Sequence, residues 1–218
     1  MRIGIAIPCY IGHIDQLQVL LDSIAKQTRQ PDKVVVSCSS TDQIPIDFPK
    51  YDFDLQIICT RDIKNPSQNR NIAARHLDTD AITFFDADDT MHPQRLEFIE
   101  QAFLKGADIV LHNFETNHEE ITLFAESNIS YNCLCQCASG CIRHINWNNY
   151  DKIHHAHVSI KRELLEQVQF DEGPNGIGKE DCVFCWSVFA CPNITNAYIS
   201  NKLSLYVPSG TFAQGCYL

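Results

Sequence analysis

Short apolar runs alternate with segments of helical spacing through the first half of the chain, and this alternation restricts the possible folds more than any other feature. The runs that predict strands are residues 3–8, 33–38, 55–60, 81–85 and 109–111. Between them, apolar residues recur at intervals of three and four, as in an amphipathic helix. Strands and helices alternating at this pitch predict βαβ units, and therefore an α/β fold with a mostly parallel central sheet flanked by helices.

The second half of the chain is less regular. Residues 115–150 show no clear period, whereas later apolar patterns predict a strand at 158–160, helices at 163–168 and 180–190, and a strand or hairpin at 197–207. With 218 residues, 44% of them hydrophobic, the chain suits one globular domain. We therefore expect an irregular C-terminal part folded onto the sheet.

Charge and cysteine usage narrow the class of protein. The 17 Lys and Arg residues against 27 Asp and Glu give a net charge of −10, which argues against nucleic acid as a partner, because phosphate neutralisation needs surplus basic residues. The 11 cysteines are an odd number, the N-terminus lacks a signal-peptide core, and no apolar run reaches the roughly 18 residues of a membrane span. These features predict a reduced, cytoplasmic protein without a transmembrane segment.

Three carboxylates follow the fourth predicted strand. Asp86, Asp88 and Asp89 stand directly after Phe85, at the kind of strand end where open α/β sheets bind ligands. In an extended chain Asp86 and Asp88 lie on the same side, and carboxylate oxygens suit Mg²⁺ or Mn²⁺. The pattern predicts a metal site that stabilises a departing diphosphate. The alternative is that Asp88 or Asp89 only caps the next helix.

A series of short motifs stands along the chain in a particular order and spacing: Ile7-Pro8-Cys9-Tyr10, Gln27, Thr41-Asp42, Arg70-Asn71, Asp86-Ala87-Asp88-Asp89, Phe170-Asp171-Glu172 and Glu180-Asp181. By these motifs the chain resembles the family 2 glycosyltransferases of the GT-A fold, over roughly residues 3–190. The resemblance implies an inverting transferase that moves a sugar from a nucleotide-diphosphate donor to a hydroxyl of a glycan, lipid-linked sugar or protein glycan. It also implies that one domain, 1–218, has a nucleotide-sugar-binding half (1–114) and an acceptor-binding half (115–218).

The resemblance assigns roles to the matched residues. Asp88 would be the main metal ligand, and Asp86 would contact the sugar or ribose of the donor together with the metal. Pro8 and Tyr10 would line the nucleotide pocket. Asp181 would be the catalytic base, a role that the chemistry favours independently, because the acceptor hydroxyl must lose a proton as it attacks. The alternative for Asp181 is a favourable position in the first turn of a helix.

The chain departs from the family after the second strand. Family members usually carry two aspartates there, and this sequence has Ser37 and Cys38 instead. A carboxylate that would accept a hydrogen bond from the base is therefore missing, which leaves the nucleotide open among uridine, guanosine and deoxythymidine. The resemblance still places Ser39 and Asp42 beside the nucleotide, although Asp42 equally suits a turn. Arg70 would support the acidic loop or the donor.

Two cysteine groups and one histidine group allow a metal-site interpretation. They are Cys133, Cys135, Cys137 and Cys141; Cys182 and Cys185; and His154, His155 and His157. The alternating spacing of the first group fits structural zinc poorly, and the second group falls on an apolar helix face, so ordinary packing is favoured for both. On a strand, His155 and His157 would share one face, but acceptor contacts or surface positions are favoured over metal ligation.

Three other functions compete with glycosyl transfer. A sugar nucleotidyltransferase would need a glycine-rich phosphate loop after the first strand, where this chain has only Gly4 and Gly12. A dinucleotide oxidoreductase would need the Gly-x-Gly-x-x-Gly pattern, which is absent. A catalytically degenerate binding or assembly module remains an alternative, because the fold alone does not fix function. The intact acidic cluster favours the enzyme.

Overall fold

Four α-helices and eleven strands form the described part of the computed structural model, residues 1–117, 121–136, 142–145, 152–173 and 178–207. The helices are Ile14–Ala25 (α1), Pro66–Arg75 (α2), Arg95–Leu104 (α3) and Glu180–Phe189 (α4). The strands are Ile3–Tyr10 (β1), Lys33–Ser39 (β2), Leu55–Thr60 (β3), Ala81–Phe84 (β4), Thr90–Met91 (β5), Ile109–Glu115 (β6), Ile129–Tyr131 (β7), Leu134–Gln136 (β8), Ile142–His144 (β9), Ser159–Lys161 (β10) and Asn196–Leu205 (β11).

Nine of the strands form one sheet in the order β3-β2-β1-β4-β10-β6-β11-β5, with β7 pairing onto β11. The four strands from β3 to β4 run parallel, as the βαβ pattern predicts. The short β10 lies antiparallel between β4 and β6, so the sheet is parallel in its N-terminal half and mixed beyond it. Strands β8 and β9 pair separately. Because β10 and β11 come from the second half of the sequence, both halves of the chain contribute to one sheet.

Apolar side chains cover both faces of the sheet. On β1, Ile3, Ile5 and Ile7 face one side, where α1 and α3 contribute buried leucines and isoleucines to the same cluster. Ala6 faces the other side, where α2 and α4 pack. Each fully buried Leu or Ile side chain contributes about 1.5–3 kcal/mol to stability. Burial on both faces therefore holds β1 firmly within the sheet.

Several elements differ from their sequence predictions. The helix predicted at 163–168 is a 3₁₀ turn, Arg162–Glu166. By contrast, the strand or hairpin predicted at 197–207 is confirmed as a strand, β11, which pairs with β6, β5 and β7. Within the aperiodic stretch 115–150, three-residue strands form, too short to show a period of two. None of the helices among the described residues is long and apolar enough to cross a bilayer.

Asn71 on α2 fastens the loop before α4 to the body of the protein. Its side chain is buried, donates to the Phe170 carbonyl at 2.9 Å and to the Glu172 carboxylate at 2.8 Å, and accepts the Phe170 N–H at 3.1 Å. Phe170 in turn stacks on Phe184 of α4, with ring centroids 3.9 Å apart. The Asn71 amide therefore holds residues 170–172, the segment that precedes α4 in the chain.

We expect Asn71→Ala to lower the free energy of unfolding by about 1–3 kcal/mol, because it leaves a buried N–H and a buried carbonyl without partners. Urea unfolding followed by circular dichroism measures this change. The matched control is Asn117→Ala at an exposed position, which should change stability by less than about 0.5 kcal/mol. Equal effects of the two variants would contradict the role given to Asn71.

Candidate active site

The C-terminal ends of three parallel strands bring the predicted donor residues to one edge of the sheet. Strand β1 lies between β2 and β4, with Tyr10 opposite Ser39 and Ala6 opposite Phe84. After β4, Phe85 is buried, and half-buried Asp86 and Asp88 alternate with buried Ala87 and Asp89. Residues 86–89 form a turn, closed by the Asp89 N–H donating to the Asp86 carbonyl at 3.3 Å, so this segment is not extended and the shared side of Asp86 and Asp88 stays a prediction.

Arg70 joins the acidic loop to the start of α4. Its guanidinium lies 2.7 Å from an Asp86 carboxylate oxygen and 3.4 Å from Glu180, and only 4% of its side chain is exposed. Phe170 packs against it, with the ring centroid 5.3 Å from Cζ. A buried guanidinium with two carboxylate partners holds both in fixed positions. The predicted supporting role of Arg70 is consistent with this geometry.

The acidic loop carries more negative charge than Arg70 balances. Burial raises the pKa of Asp86 to about 6; Arg70 opposes that rise, and the Asp88 and Asp181 carboxylates add to it. The three carboxylates therefore lie within electrostatic range of one another. A set of hard oxygen donors with excess negative charge fits Mg²⁺ or Mn²⁺, so the residues present at the strand end suit the divalent ion predicted for Asp86 and Asp88.

Asp181 lies in the first turn of α4, beside the acidic loop. It is half-buried, and its Oδ1 accepts the Cys182 N–H at 2.8 Å. Besides raising the pKa of Asp86, its negative charge opposes the burial that lowers the pKa of His154 to about 3. One oxygen is therefore held by backbone while the side chain stays close to the loop, an arrangement that suits a positioned base.

Tyr10 and Gly12 form the exposed rim at the end of β1. Pro8 is buried, whereas Tyr10 is 46% exposed. The Tyr10 ring lies over Gly12 so closely that a Cβ on Gly12 would clash with the Tyr10 hydroxyl and ring. Glycine at this position thus allows the ring to fold back against the backbone, with its edge toward His13 at 4.6 Å.

Polar side chains at and just beyond the C-terminal end of β2 contact other residues of the protein. Ser39 is fully buried, and Asn69 donates to its hydroxyl at 3.1 Å; Ser37 donates to the Asn69 amide oxygen at 2.9 Å. Asp42 is exposed and pairs with Arg61 at 2.7 Å. Where the family usually has aspartates, this chain has a neutral buried network. Donor contacts from Ser39 and Asp42 stay predictions.

Asp89, His154 and His157 form a buried group that the sequence interpretation did not assemble. His154 precedes the 3₁₀ turn His155–His157 and stacks on His157, with centroids 3.8 Å apart. In a 3₁₀ turn residues three apart superpose, so the pair that shares a face is His154 and His157, and the strand-like pairing of His155 with His157 was wrong. Their ligand atoms and an Asp89 oxygen lie within 4.8 Å of one another, a possible metal-binding group.

Tyr206 is a further residue that no sequence motif indicated. Burial raises the pKa of its hydroxyl, and so do the charges of all four carboxylates around the site: Asp89, Asp88, Asp86 and Asp181. Its ring lies edge-on to His154 at 4.9 Å. The end of β11 therefore borders the acidic loop, although it is more than 100 residues away in sequence, and only the folded structure reveals this contact.

The cysteine interpretations have different outcomes. Cys182 and Cys185 are buried on α4, and Cys185 belongs to the apolar cluster on that face, as the packing interpretation predicts. Cys133 lies next to β8 and Cys135 within it. The other two members of the first group, Cys137 and Cys141, lie outside the described residues, so the interpretation of that group stays a prediction.

Comparison with known proteins identifies the family of the chain and solved structures that share its fold. A sequence model described as Glycosyl transferase family 2 matches residues 4–181. Crystal structures of TarS from S. aureus share the fold: the UDP complex has a TM-score of 0.66 at 18% identity, covering 96% of this chain and 61% of that chain. The UDP-GlcNAc complex has a TM-score of 0.67 at 18% identity, covering 100% and 62%. This chain thus spans about three fifths of the length of those structures. The search of curated protein sequences found no match. The likeness confirms the predicted fold class.

Proposed function

The chain belongs to glycosyltransferase family 2, and from that premise we propose that it transfers a sugar, with inversion, from a nucleotide-diphosphate donor to a hydroxyl acceptor. The observation that carries the proposal is the Arg70 bridge between Asp86 and Glu180. It connects the acidic strand end, where the donor would bind, to the turn that carries Asp181. The buried guanidinium of Arg70 would then lie between the donor-binding residues and the segment that carries the proposed base.

Asp88 and Asp86 would hold Mn²⁺ or Mg²⁺ at the donor side. When bound, such an ion supplies positive charge to the leaving diphosphate. Asp88 carries no direct basic partner among the described side-chain contacts, whereas Asp86 is fixed by Arg70. We therefore assign Asp88 as the main ligand and Asp86 as the residue that orients the donor, with Arg70 holding Asp86 in place.

Asp181 would act as the base in a single in-line displacement. The acceptor hydroxyl attacks the anomeric carbon from the face opposite the diphosphate and gives its proton to the Asp181 carboxylate, while the bond to the diphosphate breaks. Because one oxygen of Asp181 already accepts the Cys182 N–H, the carboxylate is oriented before the acceptor arrives. A positioned general base contributes about 10²–10⁴-fold to the rate.

We propose a uridine diphosphate sugar as the donor. The TarS structures that share this fold contain UDP and UDP-GlcNAc. Pro8 and the exposed Tyr10 would line the base pocket. The acceptor, a glycan or a lipid-linked or protein-linked sugar, would bind the half formed by residues 115–218. A cytoplasmic location is proposed from the 11 cysteines, an odd number that cannot all pair within one chain.

Calorimetric titration with UDP, GDP and dTDP, with and without Mn²⁺, tests this proposal. We expect micromolar, metal-dependent binding of UDP and at least about tenfold weaker binding of GDP, the free-energy equivalent of one good contact. Incubation with UDP-sugars should then release UDP in the presence of an acceptor. If no nucleotide binds under either condition, the chain is a binding module rather than a transferase.

Gly12→Ala should weaken UDP binding by about ten- to a hundredfold, because stacking of a base on an aromatic ring contributes about 1–3 kcal/mol and the new Cβ would displace the Tyr10 ring. The same titration measures the effect. Tyr10→Ala should give a similar loss, and the double variant should be no worse than either single variant. Additive losses would show that Gly12 acts on the donor independently of Tyr10.

A further inference from the structure

Backbone hydrogen bonds fix Tyr206 beside the acidic loop. Its own N–H donates to the Glu115 carbonyl at the end of β6, at 2.8 Å, and the N–H of the next residue, Val207, donates to Asp89 Oδ1 at 2.7 Å. Asp89 is only 2% exposed, so this second contact is an anchor in the interior. A side chain whose backbone is held in this way projects from a defined position, as a group that contacts a ligand must.

The ring of Tyr206 is packed, whereas its hydroxyl has no hydrogen-bond partner within the part of the chain that the structure describes. The ring lies edge-on to His154, with centroids 4.9 Å apart, and to Phe114 at 5.7 Å. The side chain is half-buried, and its hydroxyl is not among the fully buried polar atoms that lack a partner. A ligand can therefore reach the hydroxyl while the ring stays in place.

The carboxylates near the Tyr206 hydroxyl come from both sides of the proposed reaction. Burial raises the pKa of the hydroxyl, and the charges of Asp89, Asp88, Asp86 and Asp181 raise it further. Asp88 belongs to the proposed donor side, whereas Asp181 is the proposed base on the acceptor side. In an in-line displacement the transferred sugar lies between the leaving diphosphate and the base. A side chain within range of both sides therefore borders the space of that sugar.

The groups around this space accept hydrogen bonds more readily than they donate them. Ionised carboxylates are acceptors only, and the guanidinium of Arg70 is already paired with Asp86 and Glu180. A sugar hydroxyl can donate its hydrogen to one of the carboxylates, but its oxygen then needs a donor. The O–H of Tyr206 keeps its proton beside this negative charge and can supply that hydrogen bond.

We propose that Tyr206 contacts the transferred sugar, donates a hydrogen bond to one of its hydroxyl oxygens, and thereby discriminates among donor sugars. The inference rests on the proposed function and deepens it, because it assigns a residue to the part of the donor that differs between nucleotide sugars. A site that hydrogen-bonds a substrate hydroxyl disfavours analogues that lack it. Tyr206 would thus act on the sugar, whereas Pro8 and Tyr10 would act on the base.

Tyr206→Phe tests the inference, because it keeps the ring against His154 and Phe114 and removes only the hydroxyl. Calorimetric titrations with Mn²⁺ compare UDP with UDP-glucose, UDP-galactose and UDP-GlcNAc. We expect the affinity for the preferred UDP-sugar to fall about three- to tenfold, as for one neutral hydrogen bond, while UDP affinity stays within about twofold. The matched control is Tyr51→Phe, since the Tyr51 hydroxyl donates to Asp22 on α1 at 2.9 Å. It should change neither affinity.

Analogues of the preferred donor that lack single sugar hydroxyls show whether the contact is direct. One of them should bind the unaltered protein about three- to tenfold more weakly than the parent donor. Tyr206→Phe should bind that analogue and the parent within about twofold of each other, because both changes remove the same bond. Losses that add for every analogue, equal losses of UDP and UDP-sugar affinity, or no loss at all would overturn the inference and leave the proposed function intact. If the unaltered protein binds no nucleotide, the proposed function itself fails.

Discussion

Asp181→Asn should slow sugar transfer by about 10²–10⁴-fold, the usual contribution of a general base, while leaving UDP affinity within about twofold of the unaltered protein. The amide keeps the size of the carboxylate and its hydrogen bond from Cys182, but it cannot take the acceptor proton. Initial rates of UDP release with saturating donor and acceptor measure the first effect, and calorimetric titration with UDP and Mn²⁺ measures the second.

The matched control for this variant is Asp171→Asn. Asp171 is exposed and its Oδ1 likewise accepts a backbone N–H, from Gly173 at 2.9 Å, so the change removes the same charge from a nearby loop. We expect its transfer rate to stay within about twofold, as for surface substitutions in general. An Asp181→Asn variant that transfers at the control's rate would assign the base to another residue.

The acidic loop illustrates what local sequence can predict. An apolar strand followed at once by Asp86 and Asp88 predicts where the strand ends, because that depends on residues next to one another. The ligand roles of the two carboxylates stay predictions. The roles of Arg70 and Asp181 came from the family resemblance, since 110 residues separate the two partners of the Arg70–Glu180 ion pair and no local pattern encodes their contact.

The parts that sequence interpretation missed depend on local geometry that short segments do not specify. A three-residue run at β10 carries too little signal to give its antiparallel direction between β4 and β6. The histidine cluster was given a strand period, whereas the 3₁₀ turn superposes His154 and His157. The long separation between Asp89 and Tyr206 hid the closeness of β11 to the acidic loop. For β10 and Tyr206 the missing information is the packing of segments distant in sequence, whereas for the histidines it is the local 3₁₀ geometry.

Asp88→Asn should remove the gain in UDP affinity that Mn²⁺ gives the unaltered protein and lower the transfer rate by at least about 10²-fold, because a Lewis acid at the leaving group is worth several kcal/mol. An amide oxygen is a weaker, uncharged ligand, so metal affinity falls while the shape of the loop is kept. Asp86 remains paired with Arg70 in this variant, which keeps the donor side folded. Paired calorimetric titrations of UDP with Mn²⁺ and with EDTA measure the loss.

Asp78→Asn is the control for Asp88→Asn, since Asp78 precedes the same strand at its opposite end and is 75% exposed beside Arg2. Its Mn²⁺-dependent gain in UDP affinity should match that of the unaltered protein. The change at Asp88 should also leave the melting temperature without metal nearly the same, or slightly raised, because it removes one of the carboxylates that raise the pKa of Asp86 by repulsion. An undiminished Mn²⁺ effect in Asp88→Asn would mean that the cation binds elsewhere and that the acidic strand end serves only to hold Arg70.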